Sequence, residues 1–170
     1  MTAIEKLIDE RKWRQAQSLL QRELLTAPTD HWLWYTLSLA YYEQKEYELA
    51  LECGKRAVEL APSCAWALWH YAGSLYMSNR ETAALAIWNL ILNLDLEEVA
   101  DGDCGEGMDA ALRLVNDVHY RIGRCYQHLG NDRLAAESFK KYLHNRSHGV
   151  ESTYDDKPVQ KFLDGLAVSA

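Results

Sequence analysis

Alanines stand at Ala16, Ala50 and Ala84, two successive steps of 34 residues, and other columns keep the same interval. Leu7, Tyr41 and Leu75 form one column, and Leu20, Gly54 and Trp88 another. Pro28 and Pro62 form a third, with Leu96 where the next proline would fall. Past Leu96 the register slips by 17 residues and resumes, with Tyr126, Ala135 and Phe139 each 51 beyond Leu75, Ala84 and Trp88. A fixed period of this size means one supersecondary unit repeated, each copy burying its apolar face against its neighbour.

Inside the period the apolar residues follow helical spacing. Residues 2–10 put Ile4, Leu7 and Ile8 on one side, and 13–26 do the same with Ala16, Leu19, Leu20 and Leu24. Asp30 is suited to cap the next helix, and turns are expected at Gln44–Lys45 and Ser78–Asn79–Arg80. The alanine column fits close helix crossings, where a side chain larger than methyl would force the pair apart. Ser38, Ala72 and Gly123 serve the same approach from the facing helix. Pro28 and Pro62 end the second helices of their units. The glycine-rich stretch 101–107 reads as a loop, after which a long helix starts near Asp109 and runs to Leu129. Its partner covers 132–146, and Pro158 suits the first turn of a last helix carrying Val159, Phe162, Leu163 and Leu166 as one stripe.

The unit at 31–62, with Trp34, Leu37, Ser38, Tyr41, Ala50, Ala57 and Pro62, resembles the tetratricopeptide repeat (TPR), a helix-turn-helix module. The resemblance implies an all-α fold: a right-handed superhelix of antiparallel helix pairs, three and a half to four repeats plus a C-terminal capping helix. The expected organisation is a single domain over 1–170. It has a truncated repeat at 1–28, repeats at 31–64 and 65–98, an acidic loop and helix extension at 99–115, a repeat at 116–149 and a C-terminal helix at 156–168.

Composition narrows the function classes. Of 170 residues, 48% are hydrophobic and 25% charged, which supports a packed core rather than disorder. A net charge of −7 opposes nucleic-acid binding, which needs a basic face to neutralise phosphates. The sequence has no apolar run of about 18 residues and no secretory pattern at Met1–Arg14, so no membrane contact is expected and a cytoplasmic location is. The cysteines at 53, 64, 104 and 125 are accordingly read as reduced thiols, with Cys53 and Cys125 as small core residues.

Catalytic patterns are missing: no phosphate loop, nucleophile elbow or glutamate-flanked histidine pair occurs, so no enzyme, metal or cofactor is expected. The acids from Asp101 to Asp109 do not follow a calcium-loop register, since Glu106 stands where a glycine is needed and Leu112 where a glutamate is. His144 and His148 are four apart, but Gly149 and the polar surroundings read as a helix end.

The resemblance also implies a concave groove lined by the first helices of successive units. Its positions are Trp32, Tyr35, Leu39 and Tyr42, then Trp66, Trp69, Gly73 and Tyr76, then Asp117, Tyr120, Arg124 and Gln127. Aromatic rings of about 150–250 Å² each are a surface that something covers. The expected occupant is a protein or peptide segment, apolar or mixed, anchored by Trp32, Tyr35, Tyr42, Trp66, Trp69, Tyr76 and Tyr120. Arg121 and Arg124 would take an acidic residue of that segment. A homodimer through the groove and the chain's own C-terminal helix are the other occupants, although that helix reads first as a cap. The residues that grip acidic chaperone tails in one branch of the family are replaced here by Tyr35, Leu39, His70 and Asp117, with only Arg121 fitting. An adaptor or chaperone-like scaffold is therefore expected, with a chaperone similar to the TPR chaperones of type III secretion, or a self-associating TPR protein, as the alternative.

Overall fold

A computed structural model describes residues 2–168, and among these the chain forms ten helices and no strand. It divides into two compact units, Met1–Ile91 and Leu92–Ala170. The first unit holds α1 (Ala3–Asp9), α2 (Trp13–Leu24), α3 (His31–Glu43), α4 (Tyr47–Leu60), α5 (Ala65–Met77) and α6 (Glu81–Leu92). Within it α2 packs on α1 and α3, and α4 on both α3 and α5. The second unit holds α7 (Leu96–Asp101), α8 (Met108–His128), α9 (Asp132–Ser147) and α10 (Asp156–Val168). Here α8 packs on α7 and α9, and α10 packs on α9.

Helix starts follow local chemistry. Thr2 and Glu5 close a capping box on α1, with Thr2 N–H donating to Glu5 Oε2 at 2.6 Å and Thr2 Oγ1 accepting from Glu5 N–H at 3.2 Å. Asp30 accepts from the Trp32 and Leu33 amides, as its position before α3 predicts. Trp34 ties the preceding turn down by donating from Nε1 to the Pro28 carbonyl at 2.9 Å.

The 34-residue rhythm reappears in the backbone. Arg11, Lys45 and Asn79 have φ of 53°, 63° and 56°, and Gly130 follows in the slipped register at 69°. Each ends the first helix of its pair in the left-handed conformation. The next N–H then reaches back to the column carbonyl: Lys12 to Leu7 (2.8 Å), Glu46 to Tyr41 (3.0 Å), Arg80 to Leu75 (2.9 Å) and Asn131 to Tyr126 (2.8 Å). This is the six-to-one bond of a Schellman-type helix end, repeated four times.

Side chains explain the small-residue columns. Ala16, Ala50, Ala84 and Ala135 are all fully buried. Ser38 donates from Oγ to the Ala50 carbonyl at 2.7 Å, which draws α3 against α4. A Cβ on Gly54 would sit 3.0 Å from Tyr71 Cα, and one on Gly123 2.5 Å from the Phe139 ring. The core of the first unit joins Leu20, Leu24, Leu33, Leu37 and Tyr41, with Ile4 in the same cluster. That of the second gathers Ala135, Phe139, Tyr142 and Val159.

Two readings change. Residues 96–101 within the acidic stretch are helical, because Asp95 accepts from the Glu97 and Glu98 amides at 2.9 and 3.2 Å and Val99 and Ala100 are buried. Cys53 and Cys125 are buried thiols outside any disulfide, as expected, whereas Cys64 and Cys104 are disulfide-bonded, which corrects the reading of four reduced cysteines. Burial pushes the Cys53 thiol up to about 12, with the Glu52 charge adding to it.

Candidate functional site

In the first unit the predicted lining falls on α3 and α5, which pack side by side. Trp32 is partly buried with its ring edge-on to Tyr35, centroids 6.5 Å apart at 70°. Tyr35 is only 9% exposed and stacks on His70 of α5 at 5.7 Å and 13°, so it serves as the joint between the helices. Tyr42 is partly buried, T-shaped against Tyr47 at 5.5 Å. Beneath it Gly73 leaves room, since a Cβ there would lie 3.7 Å from Tyr42 Cε2.

On α5, Trp66, Trp69 and Tyr76 are each partly buried. The Trp69 and Tyr76 rings tilt against the fully buried Trp88 at 6.4 and 5.9 Å. Burial lowers the pKa of His70 to about 4, so its imidazole is uncharged at neutral pH. The two helices therefore present aromatic rings with one rim in the core and one at the surface, and carry no lysine, arginine or acid between Trp32 and Tyr42 or between Trp66 and Tyr76.

The predicted positions of the second unit are differently placed. Asp117 is 3% exposed, and its carboxylate accepts from Ser152 Oγ at 2.5 Å, Thr153 Oγ1 at 2.7 Å and the Thr153 amide at 3.3 Å. Tyr120 lies flat on Tyr154, centroids 4.1 Å apart at 8°. Arg121 Nε donates to the Tyr154 hydroxyl at 2.7 Å, and its guanidinium carbon is 5.1 Å from that ring's centre. Arg124 and Gln127 are partly buried on the same helix. The strap of residues 150–155 thus lies on the face of α8 that the repeat pattern assigns to partner binding. The repeat pattern does not mark this strap, and the adjacent Ser152, Thr153 and Tyr154 are its sequence signal.

His148 caps the end of α9, with Nδ1 2.8 Å from the His144 carbonyl oxygen, in keeping with the helix-end reading of that pair. No described helix is long and apolar enough to cross a membrane.

Helical hairpins with a left-handed turn residue at one fixed position and a buried alanine at another define a helical-repeat protein. Comparison with known proteins supplies the family. Residues 31–64 and 117–147 each match a tetratricopeptide repeat family model. Among solved structures, MamA aligns at a TM-score of 0.69 and 17% identity, covering 98% of this chain and 77% of that one. A second MamA structure aligns at 0.52 and 17%, covering 87% and 96%. YrrB, a TPR protein with an unusual peptide-binding site, aligns at 0.50 and 15%, covering 86% and 84%. No curated protein sequence matches the chain. The chain thus carries tetratricopeptide repeats at 31–64 and 117–147, modules that generally mediate protein–protein interaction and are typically non-enzymatic.

Proposed function

We propose that this chain is a non-enzymatic adaptor that holds an extended, apolar or mixed segment of another protein on the face of α3 and α5. The observation that carries this reading is the set of five rings, Trp32, Tyr42, Trp66, Trp69 and Tyr76, each partly buried on two neighbouring first helices. A ring whose inner rim is fixed by packing loses little entropy on binding, and desolvated aromatics dominate interface energies, at about 2 kcal/mol or more each on truncation. Tyr35 is left out of the anchor set because it is already packed against His70. Tyr120 and Arg121 are left out because Tyr154 engages both. The peptide-binding site in the name of YrrB supports the class of ligand.

The test is affinity capture from cell extract with the full chain as bait, with captured proteins identified by mass spectrometry. Trp69→Ala and Trp32→Ala should each deplete the same captured set while circular dichroism stays that of the wild type. Capture that is unaffected by both substitutions would remove this face from the reading. Unfolding on Trp69→Ala alone would assign that ring to the core around Trp88.

A further inference from the structure

The strap is bound as a ligand is bound. Three successive residues are read by side chains: Ser152 and Thr153 by the Asp117 carboxylate, and Tyr154 by stacking on Tyr120 with its hydroxyl on Arg121. The backbone is read as well, because the Thr153 amide donates to Asp117. The Tyr142 hydroxyl lies 2.8 Å from the Tyr154 carbonyl oxygen and 2.9 Å from Asp156 Oδ1, both acceptors for its one proton. A carboxylate at 3% exposure needs donors, and among the described residues those that hydrogen-bond it are Ser152 and Thr153 of the strap.

The strap's two ends are fixed independently of it. Gly149, at φ +88°, turns the chain out of α9. α10 is held on α9 by Val159, 1% exposed, and by Phe162, T-shaped against Phe139 at 5.4 Å. A segment with no helix or strand of its own, anchored at both ends and pinned in the middle by side chains, opens more cheaply than the helices it lies on.

We propose that α8 carries a recognition site for an extended segment bearing two adjacent hydroxyl side chains followed by a tyrosine, and that Ser152–Tyr154 is its resident intramolecular ligand. Asp117 selects the hydroxyl pair, Tyr120 and Arg121 select the aromatic residue, and a segment of like chemistry from another polypeptide binds by displacing the strap. The tether gives the strap an effective concentration on the order of millimolar, so the site is closed until a competitor exceeds that. The site uses α8, α9 and the strap alone, so its loss and the loss of capture by α3 and α5 are separately measurable.

The experiment uses a labelled peptide with the sequence of residues 150–156 and fluorescence anisotropy on the full chain. The wild type should bind it at least about tenfold more weakly than a variant combining Ser152→Ala, Thr153→Ala and Tyr154→Ala. Adding Asp117→Ala to that variant should weaken binding about tenfold or more. Absence of binding to the folded triple variant, or binding indifferent to Asp117, would overturn the proposal. If the triple variant loses its helicity, hydrogen exchange of the wild type decides. Thr153 and Tyr154 amides exchanging at least about tenfold faster than those of Val118 and Ile122 support a strap that opens by itself. Exchange of both sets only through global unfolding sinks it.

Discussion

At the scale of single residues, the repeat is held by positions where a side chain must be absent or a backbone must bend the wrong way. Gly123 is the tightest of the first kind. Alanine there would favour the helix by about 1 kcal/mol, but its Cβ would meet the Phe139 ring at 2.5 Å, and that ring is 1% exposed with nowhere to go. Overpacking of this kind costs about 1–3 kcal/mol, so Gly123→Ala is expected to lower the denaturation midpoint. Lys45 is of the second kind, a non-glycine residue at φ 63°. Lys45→Gly relieves a left-handed conformation worth about 1–2 kcal/mol against a larger unfolded-state entropy, and should raise stability by up to about 1 kcal/mol in the same measurement. Cys53 adds a chemical readout: with its thiol buried and shifted up to about 12, it should resist alkylation at pH 8 until denaturant is added, as followed by intact mass.

At the scale of elements, the alanine, Leu/Tyr and proline columns make the helix pairs legible in the sequence, because each column answers to one local constraint. Ala50 is a crossing point, Tyr41 a helix-end acceptor, Pro62 a stop. What the sequence did not reveal depends on which side chains meet across the chain. Tyr35 has the right period for a surface lining, yet stacking on His70 of α5 buries it. The strap has no period at all, and its role follows from where α10 docks. That docking is testable: Phe162→Ala should cost less than the roughly 3–5 kcal/mol of a fully buried phenylalanine, because the ring is only partly buried. Amides of α10 should then exchange faster while those of α8 keep their protection. Equal loss in both helices would mean that α10 is a full member of the α8–α9 core.

At the scale of the whole molecule, each unit holds a half-buried histidine whose desolvation keeps it neutral when folded. His70 in the first unit is lowered to about 4 by burial, and His119 in the second is lowered to about 4 by burial and then by the Lys141 charge. In the unfolded chain both return to about 6.5. Between these values the unfolded state binds more protons than the folded one, so stability falls as pH falls from about 6.5 towards 4 and is unaffected by these groups above 7. Each contributes a slope of at most about 1.4 kcal/mol per pH unit. Carboxylates add their own titration below about pH 5, so the histidine contribution is read between pH 6.5 and 5. Urea midpoints in that window should decline for the wild type, and His70→Gln should flatten the decline even if it lowers the midpoint at pH 7. A slope unchanged by His70→Gln and by His119→Gln would mean that neither imidazole is held neutral in the folded chain.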